Sequence, residues 1–376
     1  MGVFSKSIVL ASFLSSVVGV TQAPAATADF RARQREQLLF FQKLQKYGHP
    51  FQRKLPPASF LAKHSGPPAV LPSPSSGAMT GQAVTEPAVA SAPAARTSMA
   101  AFPGGTTSFY LSAHPDDYAL FTFPYRDVVA PDTKVVFIFM TAGDAGLGTG
   151  PTGASYYLAR EAAAIKGIRF MADSSRPWPE GSTTANVTVN GRSIRTVSYR
   201  STVAYFLRLP DGNGDGGGFP GTGSVSLSKL YDGRIATLRA VNGSTTYRGW
   251  SDLVNTIAAI VRIQSSGSPN VWMNANDPDS DFNPGDHADH LATGSVVAAV
   301  KAQLPCVNAA YHVGYAMAGL SNLSRDEALN KSGTFASYAT GLTDKNYFGA
   351  WDNEHKSWLT GLSARVSLGN QSPCAF

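Results

Sequence analysis

The constraint that bears hardest on how this chain can fold is a series of short, almost wholly apolar segments separated by stretches of helical period. Ser108–Ala113 (SFYLSA) and Lys134–Met140 (KVVFIFM) read as strands buried on both faces, because a strand with one face in water alternates apolar with polar residues and these do not. Tyr156–Ile165 reads as a helix closed by Gly167, with Ile168–Ala172 as a further strand after it. Trp250–Ile263 predicts a helix, Asn270–Asn274 (NVWMN) a strand, His290–Leu304 a helix and Val307–Tyr315 a last strand. Strands alternating with helices imply βαβ units, hence an α/β fold with a mostly parallel sheet covered on both faces. Residues 180–248 look different. They are β-rich and irregular, with an Asn-Gly turn at Asn190-Gly191 inside a hairpin over 186–197 and an apolar run at Ala204–Leu209, and they read as an insertion on the main fold.

The chain of 376 residues does not give all its length to that fold. Lys6 precedes the apolar run Ile8–Val20, and Ala26-Thr27-Ala28 follows as a cleavage pattern, so residues 1–28 read as a signal peptide and the mature protein as exported. The run is too short for a membrane span, and no longer one follows. Residues 29–64 carry eight basic residues against Asp29 and Glu36, which accounts for the whole net charge of +6. They read as a basic amphipathic arm, and the near-neutral remainder excludes a nucleic-acid-binding face on the main domain. Residues 65–104 are rich in Pro, Ala and Ser and almost free of charge, which makes them a linker, so the folded domain is expected over 105–376. Two cysteines, Cys306 and Cys374, exclude a cysteine zinc cluster and leave one disulfide open.

In a parallel sheet, ligands sit beyond the carboxyl ends of the strands. Directly after the first strand stands His114-Pro115-Asp116-Asp117-Tyr118, and after NVWMN and an acidic loop stands His287-Ala288-Asp289-His290. Of the seven histidines, three fall in these two segments. Pro115 cannot continue a ladder, so the chain must break there and free His114 and Asp117 to turn toward one point, with His290 the natural third ligand. A catalytic zinc takes three such ligands and keeps a position for water, whose pKa it lowers to about 7. Asp116 alongside is then the general base. His287 is a group for the developing oxyanion or the leaving amine, with Asp289 fixing its tautomer.

The Ala113-His114-Pro115-Asp116-Asp117 element, the Thr141-Ala142-Gly143 turn, the Arg160-Glu161 pair and Asp286-His287-Ala288-Asp289-His290 together resemble the PIG-L/LmbE family of zinc-dependent N-deacetylases, over about residues 105–310. The resemblance implies a Rossmann-like three-layer fold and a zinc or other divalent ion on His114, Asp117 and His290. It further implies Asp116 as base, His287 as the charged partner of the tetrahedral intermediate and Arg160 as a substrate-contacting residue. Two positions depart from the family pattern. Tyr118 stands where a Glu is usual, which bears on substrate preference, and Gly285 stands where some members have a Tyr, so any phenol must come from elsewhere.

The expected activity is hydrolysis of the acetamido group of an N-acetylhexosamine glycan, N-acetylglucosamine being the family's sugar, and export favours an extracellular or envelope substrate. The rival readings are a glycan-binding module with reduced catalysis and, from two histidines plus one carboxylate, an Fe(II) oxygenase. Oligomeric state is not written in the sequence. Asp211-Gly-Asn213-Gly-Asp215-Gly216 copies the opening of a calcium loop, but Thr222 occupies the twelfth position in place of Glu, so a glycine-rich turn is the expectation. Tyr205, Phe206, Phe219, Tyr247 and Trp250 are either core or sugar-stacking residues. Asn186, Asn242, Asn322 and Asn330 are glycosylation acceptors only in a eukaryotic secretory host. His49, His64, His312 and His355 read as structural.

Overall fold

A computed structural model describes residues 105–149, 155–174 and 180–376. The signal peptide, arm and linker expected over 1–104 lie outside the described residues. In chain order the elements are β1 (Thr106–Ser112), α1 (Asp117–Leu120), α2 (Tyr125–Val129), β2 (Thr133–Thr141), α3 (Tyr156–Asp173), β3 (Thr183–Val189), β4 (Arg192–Tyr199), β5 (Thr202–Leu209), α4 (Leu227–Tyr231), β6 (Thr237–Arg239), β7 (Thr246–Arg248), α5 (Trp250–Gln264), β8 (Asn270–Asn276), α6 (Ala288–Gln303), β9 (Asn308–His312), α7 (Arg325–Thr343), α8 (Asn353–Lys356) and β10 (Ala364–Ser367).

Eight strands form one sheet in the order β10-β9-β8-β1-β2-β5-β4-β3. The pairings from β9 through β8, β1 and β2 to β5 are all parallel, while β10 and the β3–β4 hairpin add antiparallel edges. Taken in chain order, the parallel strands lie in the 3-2-1-4-5 arrangement of a Rossmann-type sheet, whose order reverses between β1 and β8. The apolar run of β2 explains the layers. Val136, Ile138 and Met140 join a core with α5 and α6 on one face. Val135, Phe137 and Phe139 join another with α3 and α7 on the opposite face. Both sides of the strand are buried, so no polar alternation survives.

Two expectations are corrected here. Ile168–Ala172 is not a strand: α3 runs unbroken through Gly167 to Asp173. Gly167 serves packing and not termination, since a Cβ there would lie 2.0 Å from the Tyr118 hydroxyl and 3.1 Å from the Thr334 carbonyl on α7. Gly341 on α7 faces α3 in the same way, 2.6 Å from the Ala163 Cα for an added Cβ, so the two helices approach backbone to backbone. Second, the apolar run at 204–209 is no insertion, because β5 is buried throughout and pairs in parallel with β2. The additions to the core are the β3–β4 hairpin, turned by Asn190 and Gly191 at φ +48° and +74° as an Asn-Gly turn requires, and the excursion from 210 to 248. Tyr205, Phe206 and Tyr247 are buried in the cores, which removes them from sugar stacking.

Cys306 and Cys374 are joined in a disulfide with Cα atoms 5.4 Å apart, tying the C-terminal segment to the turn before β9. No helix among the described residues is long and apolar enough to cross a membrane.

Candidate metal centre

The site lies where the strand order reverses. β1 ends at Ser112, and Pro115 then turns the chain away from the sheet. The Ala113 carbonyl accepts from the Thr141 amide at 2.9 Å and its hydroxyl at 2.7 Å, which pins this turn to the end of β2. The Asp117 carboxylate folds back to accept the His114 amide at 2.6 Å, so the two side chains are held on one side of the turn. On the other strand, β8 leads into a loop that ends at His287, the N-cap of α6, which puts His290 in the first turn of that helix, buried and facing β1.

The three side chains converge. His114 Nδ1 and His290 Nε2 are 3.2 Å apart, His290 Nε2 is 3.2 Å from Asp117 Oδ1, and His114 Nδ1 is 3.5 Å from Asp117 Oδ2. The chemistry of this triangle calls for a cation. His290 Nδ1 faces Asp286 Oδ1 at 2.8 Å and so carries the proton, which turns a bare lone pair at Nε2 toward His114. His114 Nε2, the other edge of its ring, is buried without a hydrogen-bond partner and looks toward Asp289 Oδ2 at 3.6 Å and Asp211 Oδ2 at 4.0 Å. With a proton there, Nδ1 also presents a lone pair. Two lone pairs and a carboxylate at these distances repel one another unless a positive charge sits between them. Ligands on a tetrahedral zinc at about 2.0–2.1 Å stand about 3.3 Å from each other, which is the size of this triangle.

The electrostatics agree. Unless a metal ion supplies it, that positive charge is a second proton on His290: burial works against it, but Asp117 and Asp286 outweigh burial and push the pKa up to about 10. Asp117 is held well below the usual carboxylate range: burial opposes this, and His290 and His114 override it. The carboxylates thus ask for positive charge at the centre of the group. Behind the ligands, Asp286 accepts from Asn283 Nδ2 at 2.6 Å, Asn276 Nδ2 at 3.3 Å and the Tyr315 amide at 3.3 Å, so its second oxygen is fully used and His290 cannot rotate away.

Around this triangle stand the other residues read from the sequence. Asp116 is beside it, with Oδ1 ion-paired to Arg160. Arg160 reaches there from α3, donating also to the Gly143 carbonyl at 3.0 Å and the Tyr338 hydroxyl at 2.8 Å. Gly143, at φ +55°, has no room for a side chain, because a Cβ would fall 2.5 Å from Arg160 Nη1. Arg160, expected as a substrate contact, is held in place by three groups of the chain itself and orients Asp116. His287 accepts the Asp289 amide on Nδ1 at 3.1 Å, which leaves Nε2 as its proton position. Its tautomer is therefore set by the backbone of Asp289 and not by the carboxylate, which accepts the Gly212 amide at 2.7 Å and faces His114. A second proton on His287 would oppose that amide, and burial pushes its pKa down to about 4.

Two site residues escaped the sequence reading. Asp211 opens the glycine-rich turn after β5, and its carboxylate lies 4.0 Å from both His114 Nε2 and His287 Nε2. Its position at the carboxyl end of a core strand would have marked it had β5 been read as core. Asp215 instead accepts the Gly217 amide in its own turn, so the segment is a structured turn and not a calcium loop. Tyr315 stacks edge-on against His290 with ring centroids 5.4 Å apart, and its pKa is raised by burial and then by Asp286, Asp117, Asp116 and Asp211. That is a phenol from elsewhere than Gly285. Tyr118, by contrast, points away from the site, buried against Phe137 and Phe139 with its hydroxyl donating to the Ala164 carbonyl at 3.1 Å. His312 and His355 are structural: His312 is buried 3.2 Å from Asn274 Oδ1, and His355 stacks on Phe335 beside Asp352.

Fold and site together define an α/β protein of Rossmann-type strand order with a buried group of side chains able to hold a divalent metal ion. No protein-family profile matches the chain. No curated protein matches it either. Among solved structures it is similar to the zinc-inhibited form of teicoplanin deacetylase Orf2, at 13% identity and a TM-score of 0.33, with 62% of this chain and 83% of that one covered. It is similar also to a deacetylase–teicoplanin complex of the teicoplanin biosynthesis pathway, at 14% identity and a TM-score of 0.33, covering 63% and 87%.

Proposed function

We propose that the chain is an exported, metal-dependent N-deacetylase that hydrolyses the acetamido group of an N-acetylhexosamine glycan to acetate and a free amine. The observation that carries this reading is the convergence of His114 Nδ1, Asp117 and His290 Nε2, at separations of 3.2–3.5 Å, with Asp116 preceding Asp117 in the chain and ion-paired to Arg160. Those three residues would hold a divalent ion, zinc by their donor set and spacing. When bound, that ion supplies Lewis acidity to the amide carbonyl and makes a water more acidic.

The chain's own groups supply the rest. Asp116, steadied by Arg160 through Oδ1, takes the proton of the attacking water as the C–O bond forms. His287, with its proton on Nε2, donates a hydrogen bond to the carbonyl oxygen as negative charge develops, and Asp116 passes the proton it took from the water to the departing nitrogen as the C–N bond breaks. Asp289 and Asp211 keep His114 and His287 in the ring orientations this needs. The same two histidines and one carboxylate occur in Fe(II) oxygenases, but a base fixed beside the centre has a place in hydrolysis and none in oxygen activation. The disulfide supports export, since such bonds persist in oxidising compartments.

The test is acetate release from N-acetylglucosamine oligomers by the purified mature chain with zinc. Asp116→Asn is expected to lower kcat by about 10²–10⁴-fold with bound zinc unchanged, whereas His290→Ala loses the zinc itself. Zinc bound and no acetate from any acetylated glycan would overturn the hydrolase in favour of a glycan-binding module.

A further inference from the structure

Beside the metal centre the excursion from 210 to 248 builds something the parallel sheet does not need. The loop after β2, the turn after β5, a short turn at 219–225 and strand β6 enclose a cleft of about 580 Å³, within the range of small-ligand sites. It adjoins the centre through the chain itself: Pro210 lines it, and the next residue, Asp211, faces His114 and His287. Asp144 joins the two walls, accepting the Asp211 amide at 3.0 Å on one oxygen and the Gly148 amide at 2.8 Å on the other. The walls are also locked by contact, because a Cβ on Gly221 would lie 2.3 Å from the Gly146 carbonyl and one on Gly146 would lie 2.4 Å from the Phe219 Cβ. The cleft is therefore pre-formed.

Its lining is selective. Thr149, Thr222 and Thr237 line it with hydroxyls, which a polyhydroxylated ring can meet. Among the described residues only one ionisable residue, Arg239, lines it. Its exposed guanidinium donates from Nη2 to the Gly243 carbonyl at 3.3 Å and has no carboxylate partner among the ion pairs of the described residues, which leaves its other N–H groups for an anion. The metal centre next door is crowded with Asp116, Asp117, Asp211, Asp286 and Asp289 and repels a negatively charged group. An anion on the substrate has its favourable place beside Arg239.

We infer that this cleft takes the neighbouring unit of an acidic glycan, a sugar bearing a carboxylate or a phosphate, and that Arg239 pairs with that anion and sets a preference for acidic over neutral N-acetylated substrates. This rests on the deacetylase reading for the identity of the reacting group but not for the existence of the subsite.

Calorimetric binding, which needs no turnover, separates the two. The probes are a tetrasaccharide of alternating N-acetylglucosamine and glucuronic acid, N-acetylglucosamine 1-phosphate, and neutral chitotetraose. At least one acidic probe is expected to bind roughly tenfold or more tightly than chitotetraose, which of the two showing whether carboxylate or phosphate is the anion. Arg239→Gln is expected to erase that difference and Arg239→Lys to keep part of it. Equal binding of all three, no binding of any, or a preference that survives Arg239→Gln would overturn the inference. Acetate release measured alongside tells the readings apart. Turnover of chitotetraose without an acidic preference leaves the hydrolase standing and removes the subsite, and an Arg239-dependent preference without acetate does the reverse.

Discussion

At the residue scale, Gly167 shows how one position can be read correctly as special and wrongly as to cause. A glycine after an amphipathic stretch signals a helix end. Here it sits in mid-helix, because the Tyr118 hydroxyl occupies the space its side chain would take. Gly167→Ala should cost about 1–3 kcal/mol of unfolding free energy in urea titrations. Tyr118→Phe, which removes the obstructing oxygen, should recover part of that loss in the double variant although it costs about 1 kcal/mol alone through the bond to Ala164. Strict additivity of the two changes would refute the contact. The same pair explains why a tyrosine follows Asp117: that position faces the core, and its identity answers to α3. His114, Asp116, Asp117, His287 and His290 were legible because each stands beside a strand end with a residue type that has few other uses there. Asp211 and Tyr315 were not, since an aspartate in a glycine-rich turn and a tyrosine after a strand are ordinary locally and become site residues only through distant neighbours.

At the element scale, α7 carries a group that the sequence does not announce. Lys331 is buried, donating to the Trp358 carbonyl at 2.9 Å and the Gly361 carbonyl at 2.7 Å, so one side chain fastens the segment after α8 to the helix. Among the described residues no carboxylate pairs with it, and burial pushes its pKa down from 10.5 to about 7. Between those values the unfolded chain holds a proton that the folded one lacks. Stability therefore rises with pH from about 7 to about 10.5, by on the order of 1 kcal/mol per unit from this group, and the cost is constant below that window. Lys331→Met should flatten the difference in urea midpoint between pH 7 and pH 9 relative to the unsubstituted protein, and an unchanged difference would show that Lys331 is not the cause. Element boundaries elsewhere follow local signals closely: β2, α5 and β8 fall within one or two residues of their apolar patterns. The failure at Ile168–Ala172 has a simple reason, as a short apolar run satisfies both periods and only packing against α7 selects the helix.

On the scale of the whole molecule, the C-terminal segment is tied back by the Cys306–Cys374 bond across 68 residues. Chain-entropy reasoning assigns such a closure about 4 kcal/mol. A Cys306→Ser, Cys374→Ser double variant is expected to unfold at a clearly lower urea midpoint, and coincident curves would show that β9, β10 and their neighbours hold without it. The order of the strands matters more for function. The reversal between β1 and β8 opens the crevice into which the loops after both strands project, so residues separated by 176 positions, His114 and His290, come within 3.2 Å. The alternation of strand and helix, the breaks after strands and the identities of the donor residues were all decided by the sequence, because they depend on periodicity, on proline and on side-chain chemistry, which are local. The membership of β5 in the core, the pairing of Arg160 with Asp116 and the cleft around Arg239 were decided only by tertiary structure, because each depends on which distant group fills the space or the hydrogen bond beside it.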